Sequence, residues 1–281
     1  MTQGQHSVAP LSPLHAMLGQ LELQSDANKL NAIVNHPDVY PWVRGFQTGE
    51  LDISPVIAQD GTVCLLGEYG GLLFHRLQPG LYEIHTQVLS EGRGAWAVRC
   101  AQACLHWLFT RTDAVEVLTR CPEGNDAARG LARTCHLSLQ FTNPMGWIMD
   151  GKPVPADIFG LTVQAWMKTA PGLVDRGQWF HRMLEAEFRR HGAADQSHPD
   201  DVNHDRYVGA ACEMVLGGQP DKAVVFYNRF AAMAGYQPIE MVSADPPAFN
   251  IGNALVVLRG DEFWVPSVRS SDGSLKNGSP L

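Results

Sequence analysis

The chain has no apolar run approaching the roughly 20 residues that cross a bilayer, no Cys-x-x-Cys pair, and no excess of positive charge. Each absence narrows the function. The missing apolar run argues against a membrane-spanning role. The N-terminal MTQGQHSVAPLSPLH lacks a basic segment followed by an apolar block, so it does not read as a secretory signal. The expectation is a soluble, cytoplasmic protein with no membrane partner. Twenty-one basic residues against 29 acidic ones give a formal net charge of −8. Such a chain gains nothing by releasing counterions from a polyphosphate backbone, which argues against nucleic acid as a partner. A ligand with few phosphates needs only a local site. The six cysteines, Cys64, Cys100, Cys104, Cys121, Cys135 and Cys212, have no paired spacing and mostly sit in apolar runs. They read as reduced core thiols. No internal repeat is present.

What is present suffices for one large core or two modest ones: 281 residues, 45% hydrophobic and 18% charged. Two helical patterns open the chain, Leu14/Met17/Leu18/Leu21 and Leu30/Ile33/Val34, with Asp26 as the expected N-cap of the second. Pro37 and Pro41 are expected to stop helix propagation there. The period then changes. TVCLLGEYG (62–70), GLLFHRL (71–77) and LYEIHTQVL (81–89) are strand-like runs separated by Gly or Pro-Gly turns, an antiparallel meander. A helix follows with Trp96, Cys100, Ala103, Cys104, Trp107 and Leu108 on one stripe, then the strand VEVLTRC (115–121), then a helix and strand in DAARGLARTCHLSLQF. The strand–helix–strand step from 81 to 121 predicts a right-handed crossover and a parallel pair. The fold class is therefore α/β with a mixed sheet. Residues 151–266 read as a second region, helical at 177–191, 206–216 and 220–234, with a hairpin turning at Arg259–Asp261; residues 267–281 read as a frayed tail. Residues 1–25 are set aside as an extension and 26–150 as the first domain.

Between the third strand and its helix lies Ser-Glu-Gly-Arg-Gly, residues 90–94. A strand that ends in Gly-x-Gly and feeds a helix leaves several backbone N–H groups pointing at one spot, where the helix dipole adds positive potential. Glycine admits close approach and positive φ, and Arg93 adds a full charge. Glu83 and His85, two apart on the preceding strand, project from one face.

Three antiparallel strands, this elbow, a helix, a parallel strand and then Asn125 opening another helix together resemble the Gcn5-related N-acetyltransferase (GNAT) superfamily. That family's turn, Gln/Arg-x-x-Gly-x-Gly/Ala, holds the pyrophosphate of acetyl-CoA. The aligned stretch here is Glu91-Gly92-Arg93-Gly94-Ala95-Trp96, with Glu in the first position and Trp in the sixth. The family's Asn-x-x-Ala matches Asn125-Asp126-Ala127-Ala128, but its Tyr falls on Ala132 and its Gly-Phe on His136-Leu137. The resemblance covers residues 26–145, about half the chain. It implies CoA as cofactor and transfer of an acetyl group to an amine on a small molecule or protein. It implies Glu83 as general base through a water, with His85 as the alternative, and a backbone N–H near Val88 or Leu89 polarising the thioester carbonyl. Gly92, Arg93, Gly94, Ala95 and Trp96 would hold the pyrophosphate, with Asn125, Arg129 and Arg133 nearby. Ala132 cannot donate a proton, so Cys135 and Tyr69 are the remaining candidate acids, unless the thiolate leaves unassisted.

The style of this half is also similar to acetyltransferase-like proteins of tailed phages, those of Pseudomonas podoviruses that target quorum sensing among them. That likeness implies a second reading, a weak or inactive enzyme that docks onto a host protein. The cluster His191, His198, Asp200, Asp201, His204 and Asp205 lacks the register of a zinc site and reads as a solvated linker. Trp179, Phe180, Phe226, Tyr227, Phe230 and Trp264 read as core.

Overall fold

The structure, a computed structural model, describes residues 13–190, 201–252, 254–269 and 275–277. These fall into two compact units, one through Thr169 apart from Thr110–Thr112 and one from Ala170 onward.

The first unit begins with α1 (Pro13–Leu18), β1 (Glu22–Leu23), α2 (Asn28–Val34), α3 (Tyr40–Val43) and α4 (Ser54–Ile57). Asp26 does not cap α2: Ala27 holds that position, and the Asp26 carboxylate accepts from Asn28 N at 2.9 Å just outside the helix. Pro41 does not stop a helix either. It lies in the first turn of α3, where its missing N–H costs nothing.

The meander is as predicted. β2 (Val63–Gly67), β3 (Gly70–Gln78) and β4 (Leu81–Val88) pair antiparallel. α5 (Ala95–Arg111) then crosses to β5 (Glu116–Pro122), which lies parallel to β4. Cross-strand partners share a face, so Cys64, Leu73 and His85 look one way and Leu65, Leu72 and Thr86 the other. α2 covers the first face with Leu30, Ile33 and Val34 against Cys64, Leu66 and Leu73. α5 lies on the second, where Cys104 reaches the Leu72 backbone. All six cysteines are free and buried.

α6 (Asp126–Thr134) leads into β6 (Ser138–Met149), β7 (Lys152–Thr162) and α7 (Val163–Thr169). The seven strands run in the order β1-β2-β3-β4-β5-β7-β6. β7 was not expected, and it carries the sheet across residue 150, so the first unit extends to Thr169. Its prolines explain the miss, because Pro inside a run argues against a central strand. Pro153 and Pro155 lie before the β5 pairing, which begins only at Ala156 opposite Pro122.

The second unit contains α8 (Leu173–Arg190), α9 (Val202–Leu216) and α10 (Pro220–Ala234), the last ended by Gly235 at φ 77°. α8 and α9 meet through glycine. A Cβ on Gly177 would stand 2.0 Å from Asp205 O, and one on Gly209 would stand 1.9 Å from Leu173 O. A five-stranded antiparallel sheet follows, formed by β8 (Glu240–Ala244), β9 (Pro247–Ile251), β10 (Ala254–Arg259), β11 (Glu262–Arg269) and β12 (Leu275–Asn277), in the order β12-β11-β10-β9-β8. The hairpin turns where expected. The tail reading fails in part, since Leu275–Asn277 pair with Ser267–Arg269. No described helix is long and apolar enough to cross a membrane.

Candidate active site

β4 and β5 pair only from Leu81 opposite Glu116 to Ile84 opposite Thr119. Beyond that, β4 stays with β3 as far as Val88, while β5 stays with β7 as far as Pro122. The sheet therefore splits between its two central parallel strands. In an antiparallel ladder successive N–H groups point to alternate edges. Leu89 N–H donates to Tyr69 O at 2.9 Å. Val88, opposite Gly70 in the same register, thus turns its N–H away from β3 and into the split. Of the two backbone donors expected, the structure leaves Val88 available and commits Leu89.

A cavity of about 80 Å³ occupies the split. Glu83, His85, Trp42 and Trp147 line it from one face of the sheet, and Leu72, Ala101 and Leu105 from the other. Asn125, Ala132 and Cys135 of the α6 region border it as well. Trp147 Nε1 donates to Trp42 O at 2.9 Å, tying α3 to the β6–β7 hairpin. Neither tryptophan carries a local sequence signal for this role; their partnership spans about a hundred residues.

Glu83 is 7% exposed. A buried carboxylate needs a partner, and Arg120 supplies one, its Nε 2.9 Å from Oε1 and a terminal nitrogen 3.4 Å from Oε2. Sequence reading missed Arg120, because nothing local shows that residue 120 will lie beside residue 83. His85 also lines the cavity. Burial holds its imidazole below the usual value near 6.5, the charges of His75 and Arg120 adding to this and Glu83 opposing it. A neutral imidazole at pH 7 can accept a proton.

The elbow forms as predicted, with two residues, Gly92 and Trp96, turned inward. Ser90–Gly92 make a single 3-10 turn, Arg93 is extended, and Gly94 has φ 85°. The first helical bond of α5 runs from Val98 N to Gly94 O, so the N–H groups of Ala95, Trp96 and Ala97 have no helical acceptor. A Cβ on Gly94 would meet nothing within 4 Å, so the backbone there is open to approach. Gly92 instead packs inward, where a Cβ would stand 2.5 Å from Tyr69 Cβ. Trp96 turns its ring inward against Tyr69, centroids 5.3 Å apart. Arg93 is exposed and donates to Asp38 O at 3.3 Å. The Asp38 carboxylate accepts from Ser90 N at 3.1 Å. Hydrogen bonds from Ser90, side chain first and then backbone, hold that carboxyl below the usual range.

The remaining candidates divide. Asn125 caps α6, its Oδ1 accepting from Ala128 N at 3.0 Å, and borders the cavity. Arg129 is committed elsewhere, with Nε 3.1 Å from Asp157 Oδ2, and Arg133 lies over the Phe159 ring at 5.6 Å. Arg129 is therefore held by an ion pair, while Arg133 is exposed. Cys135 borders the cavity, but burial pushes its thiol up to about 12, so donating a proton to a CoA thiolate would be uphill. The Tyr69 hydroxyl is raised by its hydrogen bond to Glu68, and the residue does not line the cavity. His136 adopts φ 63°. It is the C′ residue of a Schellman motif, with His136 N donating to Arg133 O at 3.0 Å and Leu137 N to Ala132 O at 2.9 Å.

The acidic cluster is not a solvated linker where it is described. His204 and Asp205 are buried in α9, and Asp201 caps that helix. His191, His198 and Asp200 lie outside the described residues. Of the aromatic residues read as core, Phe180 and Tyr227 are buried, while Trp179, Phe226, Phe230 and Trp264 are half-buried.

No protein-family model and no curated protein sequence matches the chain. Solved structures do. The spermidine N-acetyltransferase from Vibrio cholerae in complex with CoA and spermine is 11% identical, covering 53% of this chain and 99% of its own, with a TM-score of 0.44. The ribosomal α-N-protein acetyltransferase RimL in complex with coenzyme A is 15% identical, covering 57% and 99%, with a TM-score of 0.41. A GNAT-family acetyltransferase from Bacillus anthracis is 13% identical, covering 51% and 95%, also at 0.41. The functional reading below rests on the geometry of the split and the elbow.

Proposed function

We propose that the first unit binds acetyl-CoA along the β4–β5 split and transfers the acetyl group to an amine on a small molecule or protein, in the cytoplasm. The observation that carries this reading is the split itself, with the Val88 N–H turned into it, Glu83 and His85 on its wall, and an open helix N-terminus directly after β4. These residues suit the cofactor. The open surface at Gly94 admits a pyrophosphate to the N–H groups of Ala95 and Trp96, and the split admits a narrow chain between strands. Bound acetyl-CoA supplies the activated thioester. Val88 N–H would hold its carbonyl oxygen, the arrangement that stabilises developing negative charge. Glu83, whose carboxylate Arg120 fixes in place, would take the proton from the incoming amine through a water, with His85, neutral at working pH, as the alternative base. Asn125 would border the chain, while Arg129 is paired with Asp157.

Thiol release from acetyl-CoA with a panel of polyamines and peptides tests this. Glu83→Gln is expected to leave CoA binding intact and to lower the rate about 10²-fold, the usual worth of a positioned base. Because folding depresses His85, its charged form is disfavoured, and the acid limb of the rate profile is expected below pH 6.5. An unchanged rate in Glu83→Gln removes that residue from the chemistry.

One observation favours a second reading, a module that docks onto another protein. β6 ends the sheet and exposes Leu139, Phe141 and Met145 at 51%, 58% and 72%. Edge strands of this kind invite pairing with another chain. Thiol release by no amine, with CoA still bound, would put this reading first.

A further inference from the structure

The second unit contains a cavity of its own, about 250 Å³, between α8, α9, α10 and the five-stranded sheet. Most of its wall is aromatic or aliphatic, with Phe180, Phe188, Val208, Ala211, Phe249 and Phe263 among the lining side chains. Phe180 and Phe263 meet edge to face, centroids 5.3 Å apart. An unfilled space of this size weakens a packed core, and one of 150 Å³ is already enough to take up benzene. By that measure the cavity suits a molecule of about ten non-hydrogen atoms.

One part of the wall is polar and tightly organised. His181 and His204 line the cavity with their rings stacked, 5.3 Å between centroids. His181 Nδ1 lies 3.0 Å from Asp205 Oδ1. A carboxylate only accepts, so Nδ1 carries a proton. His204 Nε2 lies 3.1 Å from the Tyr227 hydroxyl, and Tyr236 donates to Asp201 Oδ2 at 2.5 Å. Burial pushes the Tyr227 hydroxyl up to about 12, so it stays neutral. His204 is 7% exposed and Asp205 6%. Buried groups of this polarity need partners, and these have them.

We infer that this cavity binds a small, mainly apolar organic molecule of about ten non-hydrogen atoms, carrying one uncharged hydrogen-bonding head that sits against the His181–His204 wall. The charges around that wall select the head. Asp205 and Asp201 stand behind it, and Glu185 lines the cavity. A ligand carboxylate would face three acids. An ammonium group would have to leave water for a wall whose acids already hold His181, Tyr236 and, in the case of Glu185, Arg189 at 3.7 Å. A hydroxyl or amide can give and take hydrogen bonds there without bringing a charge. This inference is independent of acyl transfer and concerns a different unit.

The test titrates the full chain by calorimetry with octan-1-ol, octanoate and octylammonium, which share one chain and differ in the head. Octan-1-ol is expected to bind saturably at one site, and each charged analogue at least tenfold more weakly. Ala211→Leu places a larger side chain on the lining and is expected to weaken octan-1-ol tenfold or more while its circular dichroism matches wild type. If that variant does not fold, the order of the three heads in wild type decides alone. Saturable binding of none, or equal binding in a folded Ala211→Leu, overturns the cavity assignment. Tighter binding of octanoate or octylammonium overturns the uncharged head.

Discussion

In the first unit the cavity opens where two parallel strands stop pairing; in the second it lies among helices packed over a sheet. The first is narrow, about 80 Å³, and lies between parted strands. The second is about 250 Å³ and presents rings. A cavity between parted strands offers unpaired N–H groups, which suit an oxygen that gains charge. A cavity among side chains offers bulk and shape, which suit an apolar body. On the readings proposed above, the two units would take different ligands through different parts of the chain.

The largest effect that would sharpen this contrast is structural. In the second unit the helix crossing depends on backbone contact, so Gly209→Val is expected to destabilise that unit by about 3 kcal/mol or more, the upper range of overpacking. Urea denaturation followed by circular dichroism measures it, and CoA binding by the first unit should survive at denaturant levels where the second has unfolded. Loss of both together would break the contrast. A smaller effect is expected in the first unit. His136 holds a left-handed conformation that costs a non-glycine residue about 1 kcal/mol, and its C′ position is where helices most often place glycine. His136→Gly is expected to raise stability by about 0.5–1 kcal/mol, read from the same denaturation curves. A lower stability would mean the His136 side chain contributes something the backbone geometry does not show.

The same contrast explains what could be read in the sequence. β2, β3, β4 and the elbow were legible because strand alternation, Gly turns and Gly92-Arg93-Gly94 are local signals. The parallel placement of β5 followed from the strand–helix–strand step. β7 was not legible, because Pro153 and Pro155 disguise a strand whose prolines lie outside the β5 ladder. Arg129 looked available on its helix face, and only the fold brings Asp157 to it. Arg120 beside Glu83 and the hydrogen bond from Trp147 to the Trp42 carbonyl are likewise products of long-range pairing. His204 and Asp205 sat in a polar stretch and read as solvated, yet α9 starts at Val202 and buries them. The second cavity needs three helices and a sheet assembled before it exists, so no window of sequence contains it.

The central claim is that the β4–β5 split and the elbow together hold CoA. Calorimetric titration of CoA into wild type and Gly94→Val tests it most directly. The glycine's φ of 85° is strained for any β-branched residue, and a valine there would also cover the open backbone. Wild type is expected to bind one CoA per chain and Gly94→Val at least tenfold more weakly, a loss in line with one charge-assisted hydrogen bond. No binding by wild type, or equal binding by both, would contradict the account.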